Sequence, residues 1–384
     1  MKTPIPVGHY IKKLEINDTE IDIEFLPKKK IGLLMICLNE RYWPYLGQVL
    51  QDCKQNFLPH HNVEPLIWTD LPETDTPEFK KHLDTLLTDD QVAQIRAQTD
   101  SWPNGQFFGK ETITNTVKYV RELKDKTIFE TGPIEWPAPT LMRYHLFMQQ
   151  EEKLKEYDYL FYLDVDMRVV DKISDEIIGE GLTAAEHPMY SLRPQYIPPY
   201  EPNPESTAYI HRLGAVVDEG GKSRFKPYYV AGGIQGGKAD LFIEAMRVMR
   251  DNIDIDFNNN YTAIWNDESH WNKYLWDIYK GPLLVLNPSY VCPDSLLKEY
   301  YEPIWGRSYP PKIVTLTKPF TLSKAAGSAL NEFLGNGSTQ PTGKEVPFYC
   351  PKCYDSFTTP GMKVLKVVQC PGKGKPHQLD MQKL

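Results

Sequence analysis

From residue 30 onward the chain alternates short apolar runs with longer stretches in which apolar positions recur every three or four residues, a pattern that predicts βαβ units around a mostly parallel sheet. The apolar run 31–38 predicts a buried strand. Tyr45, Leu46, Val49, Leu50 and Cys53 then fall on one face of a helix that starts near Pro44. Residues 63–69 and 126–130 predict further strands, separated by a polar stretch of helical pattern at 77–98 and a surface loop at 99–110. The periodicity predicts a helix over 140–156, a strand over 159–165, helices over 238–252 and 267–279, and a last strand at 283–286.

Two stretches break the alternation. Between 187 and 224 the prolines Pro188, Pro194, Pro198, Pro199, Pro202 and Pro204 remove backbone donors and block regular helix. Irregular segments of that length in compact domains are usually functional or disordered, and Tyr190, Tyr196, Tyr200 and Tyr209 favour the first. The stretch 228–237 holds Gly232, Gly233, Gly236 and Gly237. It lacks the spacing of a dinucleotide fold and reads either as backbone approaching a ligand or as a tight turn.

Composition narrows the class. With 384 residues, 41% hydrophobic and 24% charged, the chain is a globular one with room for about two to three domains. The 43 basic and 51 acidic residues leave a charge of −8, which argues against nucleic acid as a partner. The eight-residue run 31–38 is far short of the ~18 residues of a transmembrane helix. The first thirty residues carry charges throughout and no apolar segment of the secretory type, so the expectation is a cytoplasmic protein without a transmembrane segment.

The tail differs from the body. Residues 335–344 have linker composition, and 346–384 carry six Lys against two Asp, so that tail is +4 and the remainder −12. The division is a catalytic domain over 1–334, a linker over 335–345 and a basic tail over 346–384. Cys350 and Cys353, then Cys370 after sixteen residues, have the spacing of a zinc ribbon whose second knuckle lacks its second Cys, with His377 as the candidate fourth ligand for Zn2+. A degraded knuckle or a plain basic tail is the alternative.

Three motifs carry chemistry. An apolar strand at 159–163 runs into Asp164-Val165-Asp166, and carboxylates at the carboxyl end of such a strand enter the ligand crevice, where a pair can share a hard cation with phosphate oxygens. Asp254-Ile255-Asp256 is a second D-x-D, without a strand before it, and reads as a solvated turn. Asp267 and Glu268 open a helix, where the dipole favours their ionised forms. Asn266 or Asp267 also suits an N-cap, which leaves the neighbouring Trp265, His270 and Asn272 unexplained.

In combination these segments resemble glycosyltransferase family 6: Asp164-Val165-Asp166-Met167, the stretch 200–210 (YEPNPESTAYI), the run Ala231-Gly232-Gly233 through Gly236-Gly237, and the stretch 265–274 (WNDESHWNKY). The resemblance covers about 31–318. It implies an α/β fold of GT-A type, with a mostly parallel central sheet flanked by helices. It also implies a retaining α1,3-glycosyltransferase that moves GalNAc or Gal from a UDP-sugar to a galactoside-containing oligosaccharide acceptor with Mn2+ or Mg2+.

Carried over position by position, the resemblance makes Asp164 and Asp166 the metal-binding pair and Glu268 the catalytic carboxylate, which also lies near the acceptor. Asp267 and Arg143, seven residues after Trp136, attend the donor. Tyr42 stacks on uracil, Ala231, Gly232 and Gly233 border the donor sugar, and His187 and Trp265 contact the acceptor. Lys312, Lys318 and Lys324 fall where the family has a basic segment over the diphosphate. Small side chains at 231 and 233 favour UDP-GalNAc over UDP-galactose. The competing readings are a D-x-D transferase of another sugar and a carbohydrate-binding protein on an inactive transferase scaffold.

Overall fold

The structure is a computed structural model that describes residues 9–16, 19–39, 42–72, 110–124, 126–131, 138–192, 198–211, 216–217, 223–224, 229–296 and 309–316, positions 76, 77, 79, 81 and 300, and four short strands beyond 345.

A seven-stranded sheet organises the chain. Its strands are β1 (Lys30–Cys37), β2 (Asn62–Thr69), β3 (Thr127–Glu130), β4 (Tyr159–Leu163), β6 (Leu182–Glu186), β7 (Val230–Lys238) and β8 (Leu283–Leu286), and β5 (Met167–Val169) belongs to a smaller sheet. The order across the large sheet is β8-β6-β7-β4-β1-β2-β3. β4, β1, β2 and β3 run parallel, as do β8 and β6, whereas β7 is antiparallel to both its neighbours. The sheet is thus mostly parallel, with one reversed strand at its centre.

The helices α1 (Trp43–Asn56), α2 (Lys110–Glu122), α3 (Arg143–Met148), α4 (Ala239–Asn258) and α5 (Asn266–Lys273) cover both faces. Ile31, Leu33, Met35 and Cys37 of β1 pack with Leu46 and Val49 of α1 and Val117 of α2. Leu34 and Ile36 pack on the opposite side with Phe147 of α3, Phe242 and Met246 of α4, and Trp271 of α5. Because successive side chains of a strand alternate faces, a strand covered on both sides needs an unbroken apolar run. The run 31–38 has that property, and the strand forms there.

Several elements differ from expectation. α2 forms where the pattern predicts no helix; its Thr- and Val-rich sequence has modest helix propensity, and burial of Ile113, Thr116, Val117 and Val120 on one face overrides that preference. The predicted helix 140–156 is broken into one-turn and two-turn pieces, Ala138–Leu141, α3 and Glu151–Leu154. β6 and β7 were not apparent from the pattern. Glycine-rich β7 is a weak strand former, yet a Cβ at Gly236 would meet the Leu160 carbonyl oxygen at 2.4 Å, and one at Gly237 (φ +133°) would meet that of Gly181 at 2.3 Å. The glycines therefore serve close approach between strands.

The smaller sheet holds β9 (Cys292–Pro293) and β10 (Ile313–Thr315) beside β5. Leu316, just after β10, donates its backbone N–H to the Asp166 carbonyl at 2.9 Å, so this strand lies against the acidic turn. The Lys312 ammonium is held by Glu176 at 2.6 Å and by the Lys172 carbonyl at 2.9 Å.

Hairpins form at His9–Ile16 with Thr19–Pro27, at Val346–Tyr349 with Ser356–Thr359, and at Val367–Cys370 with His377–Asp380. Cys370 and His377 are register partners across the last hairpin. Cys350, Cys353, Trp136, Lys318, Lys324, the 335–345 linker and nearly all of the 77–98 stretch lie outside the described residues. Among the described residues no helix is long and apolar enough to cross a membrane.

Candidate active site

The carboxyl ends of β1 and β4 open into a cavity, as parallel strands in α/β sheets commonly do. Tyr42, Arg143, Asp164, Asp166, Gly232, Gly233, Trp265, Asp267 and Glu268, all singled out from the sequence, line it together.

β4 stops at Leu163, and Asp164 is tied to the neighbouring strand by its N–H to the Gly233 carbonyl at 3.0 Å. The next residues form a turn that turns Asp164 and Asp166 toward the cavity. The Tyr162 hydroxyl donates to Asp164 Oδ1. Arg143 is buried at the same place. Its Nη1 reaches Asp267 Oδ2 at 2.8 Å and the Gly232 carbonyl at 3.0 Å, its Nη2 lies 3.4 Å from Asp164 Oδ1, and its guanidinium sits 4.0 Å from the Tyr162 ring centre. One cation thus holds two carboxylates from segments about a hundred residues apart, and its own pKa is raised by those carboxylates against the cost of burial.

The first turn of α5 supplies the opposite wall. Its N-cap is Trp265, without a side-chain cap bond, and Asn266 takes a left-handed φ of 49° that Asn tolerates better than most residues. Neither Asn266 nor Asp267 caps the helix: Asp267 instead turns to Arg143, and Glu268 Oε2 accepts the Gly232 N–H at 2.7 Å. A Cβ on Gly232 would lie 3.1 Å from Glu268 Cβ, and one on Gly233 would meet Met167 Cε at 2.3 Å and Asp164 Oδ2 at 2.9 Å. These two glycines let the β7 backbone approach the acidic residues.

Burial opposes the ionisation that the helix start favours in this pair. It raises the Asp267 carboxyl to about 6 even though Arg143 pulls it down, and the Glu268 carboxyl to about 7 even though the Gly232 N–H favours the anion. Desolvation exceeds what the helix terminus offers.

The other end of the cavity is apolar and was only partly visible in the sequence. Ile36, Leu38 and Asn39 line it with Tyr42. Asn39 has φ 79°; Asp70 accepts its N–H and the Trp43 indole N–H, each at 2.9 Å, which shapes this corner. The placement of Ile36, Leu38 and Asn39 at the end of the first strand was the available signal. Pro139, Thr140, Tyr162 and Val165 also line the cavity, and only proximity to a predicted site residue pointed to them.

His187 and Ala231 do not line the cavity. Ala231 packs into the core. His187 caps the one-turn helix Pro188–Ser191 by accepting the Met189 N–H at 3.2 Å, and burial lowers its pKa to about 4, so it is neutral. Its ring packs with Tyr190 and Tyr229. Tyr229 also meets Tyr200, with ring centres 5.3 Å apart, and its buried hydroxyl, without a hydrogen-bond partner among the described residues, lies on the Glu268 side. His187 is therefore one aromatic neighbour removed from the acidic wall. Trp265 is 48% exposed at the rim.

The arrangement gathers four carboxylates and, among the described lining residues, one cation. Asp164 and Asp166 are hard oxygen donors suited to Mn2+ or Mg2+, and among the described residues no third His, Cys, Asp or Glu joins them. Phosphate oxygens of a ligand and water would fill the remaining positions, so the donor set fits a cation that arrives with a diphosphate.

Several known proteins resemble this chain in part. Residues 122–300 match the family model of glycosyltransferase family 6. The chain is 28% identical over 272 residues, 71% of its own length, to histo-blood group ABO system transferase 1 of Rattus norvegicus. It is 33% identical over 165 residues, 42% of its length and 44% of the relative, to globoside alpha-1,3-N-acetylgalactosaminyltransferase 1 of Homo sapiens. It is also 28% identical over 161 residues, 42% of its length and 63% of the relative, to O-antigen biosynthesis glycosyltransferase WbnI of Escherichia coli. The matches to two rat ABO transferases span 63% and 64% of those proteins, less than two thirds.

Proposed function

From the match of residues 122–300 to glycosyltransferase family 6 and the similarity to the ABO and globoside transferases, we propose that this chain is a member of that family and transfers a galactose-type sugar, GalNAc or Gal, from a UDP donor to a galactoside-containing oligosaccharide with retention of configuration. The observation that carries this reading is the convergence of Asp164, Asp166, Arg143, Asp267 and Glu268 on one cavity whose other end is lined by Ile36, Leu38 and Tyr42.

Tyr42, Ile36 and Leu38 form a surface on which a uracil ring stacks, and the cavity's acidic end receives the diphosphate. An anionic diphosphate enters a site rich in carboxylates only with a compensating cation, which Asp164 and Asp166 would hold; such an ion neutralises the charge that develops on departing UDP. In the transfer, the bond from the sugar C1 to the diphosphate oxygen breaks and its electron pair leaves with UDP. The acceptor hydroxyl forms the new C1–O bond and gives up its proton. Arg143 fixes Asp267 for hydrogen bonding to the donor sugar. Glu268, aimed by the Gly232 N–H, either attacks C1 from the face opposite UDP or stabilises positive charge there.

The volume argument for UDP-GalNAc finds no support at Ala231, whose side chain faces the core. An alanine at 233 would press on Asp164 and Met167. The space beside Gly233 is thus filled by Met167 and Asp164, so this glycine serves backbone approach and does not separate UDP-GalNAc from UDP-galactose.

A panel of UDP-sugars assayed for hydrolysis and transfer, with Mn2+ and with EDTA, tests this reading. Expected are turnover of UDP-GalNAc or UDP-galactose, its loss in EDTA, and a fall of about 10²–10³-fold in Glu268→Ala. Activity untouched by EDTA and by that substitution would refute it.

A further inference from the structure

Glu201 stands outside the cavity, yet it joins the two segments that flank it on the Trp265 side. It is a nearly fully buried carboxylate, 2% exposed. Oε1 accepts the Tyr261 hydroxyl at 2.6 Å and the Asn203 N–H at 2.9 Å, and Oε2 accepts the Ile264 N–H at 2.7 Å. All three partners donate, so only a group that accepts through both oxygens satisfies them. Ile264 directly precedes Trp265 at the rim. Tyr200, directly before Glu201, packs edge-on against Tyr229, which in turn faces Glu268.

The segment 200–211 has other anchors. Asp256 accepts Ser206 Oγ at 2.6 Å and the Thr207 N–H at 2.8 Å, and the Lys273 ammonium bonds the Tyr209 carbonyl at 2.6 Å. Its far end is therefore held without Glu201. Burying a carboxylate is costly unless its oxygens are matched, and a neutral side chain would tether a loop at lower cost. What Glu201 adds is a fixed distance between the segment bearing Tyr200 and the one bearing Trp265.

We propose that Glu201 is a positioning residue for the acceptor: its three-donor clamp fixes where Trp265 stands at the cavity rim relative to the segment bearing Tyr200, and so how the acceptor sugar meets Trp265. This rests on the transferase reading above. The donor end, held by Arg143, Asp164 and Gly232, makes no contact with the clamp that the structure records.

Steady-state kinetics with donor and acceptor varied separately, together with UDP-sugar hydrolysis in the absence of acceptor, tests the proposal on the full chain. In Glu201→Ala the acceptor KM is expected to rise about tenfold or more while donor KM and hydrolysis stay within about twofold, since misplacement affects only the partner it positions. Glu201→Gln is expected to resemble the alanine variant, because its amide N–H would face another donor. Tyr261→Phe deletes one donor and leaves the carboxylate, and its expected rise in acceptor KM is about threefold; it decides the matter if the Glu201 variants do not fold. An unchanged acceptor KM in folded variants, or an equal loss of donor and acceptor parameters, overturns the proposal. Wild-type protein that turns over no UDP-sugar overturns the transferase reading instead.

Discussion

Asp164-Val165-Asp166 and Asp254-Ile255-Asp256 share one spacing and have opposite fates. In the turn after β4 both carboxylates of the first pair reach the same cavity. The second pair lies in α4, where residues two apart point to nearly opposite sides. Asp254 is accordingly exposed and meets His145 at 2.8 Å, whereas Asp256 is 2% exposed and accepts from Ser206 and Thr207. The solvated turn expected at 254–256 is a helix with a buried anchor. A motif of two acids thus acquires chemistry from the element that carries it.

The contrast can be broken at its strongest point first. Asp164→Asn and Asp166→Asn are expected to lower transfer by about 10³-fold and to abolish Mn2+-dependent donor binding by calorimetry, with the melting temperature of the metal-free protein nearly unchanged. Loss of less than tenfold would remove the distinction between the pairs.

A second test concerns charge stored in the cavity. The folded pKa of Glu268, about 7, lies above its ordinary 4.5. The folded chain therefore keeps a proton that the unfolded chain has lost, so the contribution of this group is fully present below about 4.5 and is lost as pH rises through about 7. Metal-free wild type should lose up to roughly 3 kcal/mol relative to Glu268→Gln across that window, read by urea denaturation at several pH values. Parallel pH profiles in the two proteins would contradict the burial argument.

Asp256→Ala should cost roughly 2 kcal/mol of stability, since it leaves the Ser206 hydroxyl and Thr207 N–H without their acceptor, while donor hydrolysis by the folded enzyme persists. Asp254→Asn is expected to change stability by less than about 0.5 kcal/mol and to leave kcat unaltered, as for other exposed pairs. An Asp254 effect as large as that of Asp256 would show that helix position does not separate the two.

Legibility followed the same logic. β1 and the end of β4 were readable because a strand buried on both faces is apolar throughout and because acids directly after it have few other uses. β7 was unreadable: its glycines are poor strand formers, and their reason, close passage beside β4 and β6, involves residues far away in the chain. The acidic start of α5 was visible in the sequence but the upward shift of its carboxyl groups was not, since the helix dipole is local whereas desolvation depends on what packs around Asp267 and Glu268. Asp70 gave no signal, and Glu201 stood out only as part of the 200–210 stretch with no role of its own, because a lone carboxylate becomes an anchor only when donors from another segment arrive.

The sequence by itself determined which chemical groups are available, their local directions along strand and helix, and the resemblance that joins them. Tertiary structure alone decided which carboxylates share a cavity, which are matched by donors and which lose solvent. Local direction is a property of neighbouring residues, whereas hydration and hydrogen-bond partners depend on segments that meet only after folding.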